Sequence, residues 1–431
     1  MLRNSLKITV IFGISTFVQL ISNIIVTRIF GATINLDIFL AAVTLPTIIL
    51  TVIYATLNDV FLPLYGEIRT KDKEQANKYL VNSLIFLIFF SVIISLILFF
   101  SANHISYFFY KSRGEEFVKN VAFQLSIMTW SLTPSIIATL FGAYFYFDKQ
   151  YNRFPFAQLM GSMFNLLFII FFYKTLGIWS LVISFILNII FQIFFVCPPL
   201  KMFLNFKFPN IQYLISSISP LLFSWLPLIV GNFALRSDVL LIRSFGSQLP
   251  TGYLVYLNLI TKIFSLATGI TTIGIQIVLL PHLIEEIANK NFKSVTHKIN
   301  KAKIGALIIS FLIGLIIIIF SPPIIKLLFV GGKFTVDNYQ LAISLLPYFF
   351  LASIGWGVIN IFFQPLIALK KTWVVGLINL SSLMTAWSIT YILNILFNPL
   401  TAISWGVTSL LFINILLAEI FWQYYKRNLH T

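Results

Sequence analysis

The chain has 431 residues, of which 59% are apolar and only 10% charged, against roughly 25% charged in an ordinary soluble domain. Apolar content on that scale supplies about a dozen spans of ~20 residues, each long enough to cross a ~30 Å hydrocarbon layer. That excludes a soluble fold, a disordered chain and a disulfide-stapled secreted domain. The net charge of +16 lies mostly in short loops between apolar runs, where it acts as a topology signal. No basic patch with interleaved aromatics is present, so nucleic acid is not an expected partner.

The first apolar run starts near residue 8 and lasts about 20 residues with no small-x-small cleavage site, and it reads as a retained first helix. Further helices are predicted at 37–65, 80–102, 121–147, 155–173 and 176–200. A second set follows at 212–235, 250–281, 303–329, 339–368, 372–396 and 401–424. The largest connections, 67–79, 103–120 and 282–302, are charged and read as solvated loops drawn to anionic headgroups. The expected architecture is an all-α polytopic membrane protein of about twelve transmembrane helices. The N-terminus and every second loop carry nineteen of the 29 lysines and arginines, and the positive-inside rule puts both termini in the cytoplasm.

Residues 28–37 read R-I-F-G-A-T-I-N-L-D and residues 243–252 read R-S-F-G-S-Q-L-P-T-G, an offset of 215. The F-L-P ending at Pro63 is answered by the L-L-P ending at Pro281, and each is followed by a glutamate and lysines. These matches predict two parallel six-helix halves, 1–211 and 212–431, with a site between them. The alternative is that F-G after an apolar helix is a common turn.

An ionisable group inside a span costs at least ~2.5–3.5 kcal/mol on insertion scales and asks for a reason. Lys262 lies deep in the eighth predicted helix, where an ammonium facing a wet cavity suits an anion such as a phosphate. The competing reading is a lysine paired with a carboxylate or with backbone carbonyls. Arg28 and Asp37 bracket the first outer turn. They read either as charge contacts closing a cavity or as an interfacial arginine and a helix cap. Asp59, four residues before Pro63, is a substrate-site candidate or a residue wetted by the interface. Glu419 reads as a snorkelling interfacial residue, and Arg236, Asp238 and Arg243 as a salt-linked turn. Prolines and glycines inside spans, among them Pro46, Pro134, Pro220, Pro227, Gly269, Gly274, Pro347 and Pro365, let helices bend. The single cysteine, Cys197, and the scattered His104, His282, His297 and His430 lack metal-ligand spacing, and no cofactor or metal is expected.

Arg28-Ile29-Phe30-Gly31-Ala32, Asp37-Ile38-Phe39, Leu45-Pro46 and Phe61-Leu62-Pro63 resemble the opening of the MurJ/MviN lipid II flippase family. Leu279-Leu280-Pro281 resembles the end of that family's eighth helix, and Gly332-Lys333-Phe334-Thr335 its turn before helix 10. The resemblance implies the multidrug/oligosaccharidyl-lipid/polysaccharide exporter superfamily, with two six-helix lobes arranged as a V around a central cavity. It also implies a polyprenyl-pyrophosphate-linked glycan as substrate, with membrane lipids around it. Lys262 then falls where the family places a cavity arginine, and Asp37 matches its helix 2 aspartate associated with outer gating. Rocking of 1–211 against 212–431 would carry the head group across, with Lys262 on the pyrophosphate, Asp59 a further contact, and Asp37 with Arg28 at the gate.

The chain departs from the family at Thr16, Ser22, Asn23 and Leu50, where charged residues are usual, and it accounts for twelve helices where the family usually has fourteen. The alternatives are an O-antigen or exopolysaccharide repeat-unit flippase, a multidrug or cation antiporter of the same superfamily, and a member that no longer transports. An enzyme is not expected, because the acid pairs Glu115–Glu116 and Asp72/Glu74 lack a convincing partner set. Coupling to a proton or sodium gradient is left open.

Overall fold

The computed structural model describes residues 2–147, 150–198, 211–289 and 291–430. Of the nineteen lysines and arginines counted on the expected cytoplasmic side, Lys149, Lys201, Lys207 and Lys290 lie outside the described residues. The described chain is helical from end to end. The first seven helices are α1 (Leu2–Phe30), α2 (Ile34–Lys71), α3 (Lys73–Tyr110), α4 (Glu115–Met128), α5 (Leu132–Phe147), α6 (Arg153–Leu176) and α7 (Trp179–Val196). They are followed by α8 (Ile211–Arg236), α9 (Asp238–Gly246), α10 (Tyr253–Ala288), α11 (Phe292–Phe329), α12 (Val336–Ser344), α13 (Phe350–Ala368), α14 (Thr372–Leu396) and α15 (Pro399–His430).

Among the described residues, eleven helical stretches are long and apolar enough to cross a membrane. The eighth expected span is α10, 36 residues long, whose described apolar part is Tyr253–Ser265. Two expected spans are each built from two helices. A 3-10 turn, Thr129–Ser131, joins α4 to α5, and another, Leu346–Phe349 with Pro347, precedes α13. The nine-residue α9 is not foreseen by the apolar pattern.

The charged connections are far shorter than expected, because the helices run on through them. Helices α2 and α3 are 38 residues each, or about 57 Å at 1.5 Å per residue, against a hydrocarbon core of ~30 Å. Asp72 alone separates them, in extended conformation, and its carboxylate accepts from the backbone N–H groups of Glu74 and Gln75 at 2.7 and 3.3 Å. This is an ordinary N-cap. Lysine and glutamate are good helix formers once in water, so the polar flanks prolong the helices.

The chain divides into two compact units, Met1–Ile229 and Val230–Thr431, where the sequence suggested a division after 211. The reason lies in α8. Its Ile218, Leu221 and Trp225 are buried in the core of the first unit with Leu57, Phe61 and Leu80, and the Trp225 indole N–H donates to Thr56 Oγ1 at 2.8 Å. Gly231, six residues on, belongs to the second unit. A Cβ built there would lie 2.7 Å from the Gly376 Cα, and Asn379 Nδ2 donates to the Gly231 carbonyl at 3.1 Å. Small residues let membrane helices approach this closely.

Within the first unit α2 packs on α3 and α5, α5 on α7, and α6 on α7. Within the second, α10 packs on α11 and α13, α13 on α15, and α14 on α15. Helix α2 is 61% buried over its most apolar window and α3 only 28%, so α2 is central to its unit. Phe89, Phe100 and Phe108 of α3 stand exposed, as befits a face whose surroundings are as apolar as its side chains.

Candidate functional site

The end of the first unit where α1 meets α2 is built from the R-I-F-G string. Gly31 takes φ +66°, a conformation disfavoured for residues with a Cβ, and its N–H returns to the Thr27 carbonyl at 2.9 Å. The chain then turns into α2, whose first turn carries Asp37. Asp37 is fully buried, and its Oδ2 accepts from Arg113 Nη2 at 2.6 Å. Arg113 comes from the 3-10 turn Lys111–Arg113 between α3 and α4 and lies over the Phe117 ring, 5.2 Å from its centroid. Nearby, the Tyr110 hydroxyl donates to the Ala41 carbonyl at 3.2 Å. A buried carboxylate requires a cation, and the α3–α4 turn brings one.

The sequence reading placed Asp37 with Arg28, and the structure adds Arg113 as an ion-pair partner of Asp37. Arg28 sits half-buried in the last turn of α1, where the helix dipole favours a cation. Asp59, further along α2, is exposed between buried Leu57 and Val60. Arg28, Asp37 and Asp59 belong to the first unit, and Lys262 to the second.

In the second unit Lys262 stands exposed on α10, about 14 Å along the helix from Tyr253 at 1.5 Å per residue. One turn earlier on the same helix, Asn258 Oδ1 accepts from Arg243 Nη2 at 2.9 Å. Arg243 is itself buried at 8% exposure in the last turn of α9. In the turn expected to be salt-linked through Arg236, Asp238 and Arg243, further partners are present. Asp238 accepts from the Trp356 indole N–H at 2.9 Å and from the Val239 N–H at 2.8 Å, while Arg243 turns toward α10.

Glu419, expected to snorkel, is instead ion-paired with Lys303. Lys303 is buried, 4.7 Å from the Phe362 ring centroid, and Gln423 Nε2 donates to the other carboxylate oxygen at 2.6 Å. Sequence reasoning missed Arg113 and Lys303 as partners because 76 and 116 residues separate the members of each pair. The buried position of Asp37 was itself the signal that a cation had to arrive from elsewhere. Among the described residues, no group of three or more His, Cys, Asp or Glu side chains is placed to hold a metal ion.

The comparisons with known proteins bear on this arrangement. The family profile described as Lipid II flippase MurJ matches residues 26–431. A "Probable lipid II flippase MurJ" of Borreliella burgdorferi is 25% identical over 365 residues, covering 82% of this chain and 71% of the relative. One from Buchnera aphidicola subsp. Schizaphis graminum is 24% identical over 353 residues, covering 77% and 66%. Among solved structures, a lipid II flippase MurJ in an inward closed conformation matches with TM-score 0.78 at 18% identity, over 95% of this chain and 87% of that one. An inward-facing multidrug resistance MATE family transporter of the MOP superfamily matches with TM-score 0.80 at 13% identity, over 96% and 95%. Two carriers of different cargo thus share this fold, and the fold alone does not choose between them. The sequence profile does, over nearly the whole chain: this multi-pass membrane protein belongs to the MurJ family of lipid II flippases.

Proposed function

We propose that the protein flips a polyprenyl-pyrophosphate-linked sugar, lipid II in the first instance, across the bacterial cytoplasmic membrane by alternating access, with both termini in the cytoplasm. The pyrophosphate and sugars cannot cross hydrocarbon unaided, because burying charge and unsatisfied polar groups costs many kcal/mol. The prenyl tail can stay in the bilayer while the head moves through a polar path. The observation that carries the reading is Lys262, an exposed ammonium on an apolar span of a chain whose family moves this class of lipid. In this reading Lys262 holds the pyrophosphate, and Asp37, tied to Arg113, sits at the outer gate near Arg28. Asp59 adds a polar contact along the path. The recurrence of one helix-packing pattern in the two units supports the parallel repeat inferred from the R-x-F-G strings.

The test is transport of fluorescent lipid II in vesicles containing the purified protein, with Lys262→Gln beside the wild type. Removing one charged contact to a phosphate should slow flipping of sub-saturating lipid about 10-fold, equivalent to about 1.4 kcal/mol. A Lys262→Gln protein that is monodisperse and flips at the wild-type rate would sink the anion-site assignment. Replacing lipid II by a polyprenyl-pyrophosphate repeat unit of a surface polysaccharide in the same vesicles separates the two glycan classes.

A further inference from the structure

We infer that the first unit carries an uncharged hydrogen-bonding seam that receives the sugar hydroxyls of the lipid's head. The inference rests on the glycolipid cargo proposed above. Helix α6 packs on both α1 and α7, and all three carry amides and hydroxyls within their spans. Ser15 and Gln19 stand on α1, Ser162 and Asn165 on α6, and Ser184, Asn188 and Gln192 on α7. Within each helix they are three or four residues apart and share one face. The side chains also link across the helices. Gln19 Nε2 donates to Ser15 Oγ at 3.4 Å and to Ser162 Oγ at 3.5 Å. Asn165 Nδ2 donates to Ser184 Oγ at 3.0 Å, and Gln192 Nε2 to Asn188 Oδ1 at 3.0 Å.

Two details separate this seam from polar residues that only hold helices together. Gln192 is 5% exposed, yet its Oε1 is buried with no hydrogen-bond partner among the described residues. That costs free energy until a donor arrives. Gly161 gives the amide its seat, for a Cβ there would lie 2.7 Å from Gln192 Cγ. Gln19, in turn, is exposed inside an apolar span, and its two donated bonds are long. An amide facing hydrocarbon is costly, so this face meets water or a polar ligand. The residue types select the ligand. None of these side chains is ionisable, so a charged group finds no counter-charge there. Amides and hydroxyls both donate and accept, which matches a neutral molecule that does both at several points. Sugar hydroxyls meet that description, and a phosphate, charged and chiefly an acceptor, does not.

The experiment uses the full chain in vesicles and two fluorescent lipids. One is a polyprenyl pyrophosphate bearing the uncharged disaccharide diacetylchitobiose, and the other is the same polyprenyl pyrophosphate with no sugar. Gln19→Met and Gln192→Met keep the side-chain length and remove the amide. Each should raise the half-saturating concentration of the sugar-bearing lipid about 5-fold, as loss of one hydrogen bond predicts. The bare lipid should be handled as by the wild type. Gly161→Ala, whose new methyl displaces Gln192, should repeat the effect of Gln192→Met.

Equal losses with the two lipids would mean a packing role and would overturn the inference. Wild-type handling of the sugar-bearing lipid by Gln19→Met and Gln192→Met overturns it as well. Should Gln192→Met fail to fold, Gln19→Met, at an exposed position, carries the test. A binding measurement separates the seam from the transport reading. Free diacetylchitobiose should raise the melting temperature of the detergent-solubilised wild type and leave that of Gln192→Met or Gln19→Met in place. If it does so while neither lipid is flipped, the transport reading fails and the seam stands. A wild type that ignores the disaccharide, or variants stabilised as much as the wild type, overturns the inference whatever the flipping rates.

Discussion

The two units use the same sequence string in different electrostatic settings. In the first, R-I-F-G leads into a turn whose Asp37 is buried and matched by Arg113, so charge is consumed inside the fold. In the second, R-S-F-G ends α9, and its Arg243 is buried with Nη2 donating to Asn258 Oδ1 of α10 at 2.9 Å. The second unit's buried ion pair, Lys303–Glu419, joins α11 to α15, well away from that contact in sequence. Ion pairs of this kind hold helices in register, while Arg243 is met by the Asn258 amide. The same short string can thus sit in both units and give its charged residues different partners in each.

The sharpest way to break this comparison is to remove the neutralising partner in the first unit. Asp37→Asn leaves Arg113 facing a neutral amide, and breaking a buried pair in this way costs about 3–5 kcal/mol. Thermal unfolding in detergent should show a clear loss, and Asp37→Asn combined with Arg113→Gln should be more stable than Asp37→Asn alone. If the single substitution left the melting temperature unchanged, the pair would not be the clamp described here. A smaller loss is expected from Lys303→Met, about 1–3 kcal/mol, because Glu419 remains partly exposed and can be reached by water. Flipping should fall less in Lys303→Met than in Lys262→Gln, since Lys303 pairs with Glu419 and Lys262 is the proposed anion contact.

The smallest effect concerns Glu286, beyond the apolar part of α10, whose carboxyl is held below the usual carboxylate range mainly by its hydrogen bond from Lys298. A depressed carboxylate adds stability above its unfolded value of about 4.3 and loses it as pH falls through the lower folded value. Glu286→Gln should therefore lower stability slightly at neutral pH, where the wild-type pair is in place, and converge with the wild type at acid pH, so that the acid limb of its stability-against-pH curve is flatter. An acid limb identical to that of the wild type would remove the pair from the account.

The existence of the spans was legible because ~20-residue apolar runs admit few other readings. Their ends were not. Lys71, Lys73 and Glu74 looked like loop, yet they continue the helices on either side of Asp72, since charged residues are compatible with helix wherever water meets it. The break at Ser237 that sets off α9 has no strong sequence signal. Candidate site residues were legible as costly groups in apolar surroundings, which is how Lys262 and Asp37 stand out. Their surroundings were not, because Arg113 reaches Asp37, and Arg243 reaches Asn258 one turn before Lys262, through tertiary packing that leaves no mark in the local pattern. The strings that suggested a division after 211 carry no sign that α8 buries Trp225 in the first unit and packs Gly231 against Gly376 in the second.

The helices that outrun the hydrocarbon layer have one further consequence. A bilayer that thins or thickens by several ångströms strains a protein whose backbone loses its internal hydrogen bonds at the interface. Where α2 and α3 continue to Lys71 and from Lys73, a shifted boundary slides along intact helix and uncovers no unsatisfied carbonyl. The hairpin around Asp72 therefore makes the first unit indifferent to the thickness of the membrane that houses it. The protein should keep its structure across lipids of different chain length.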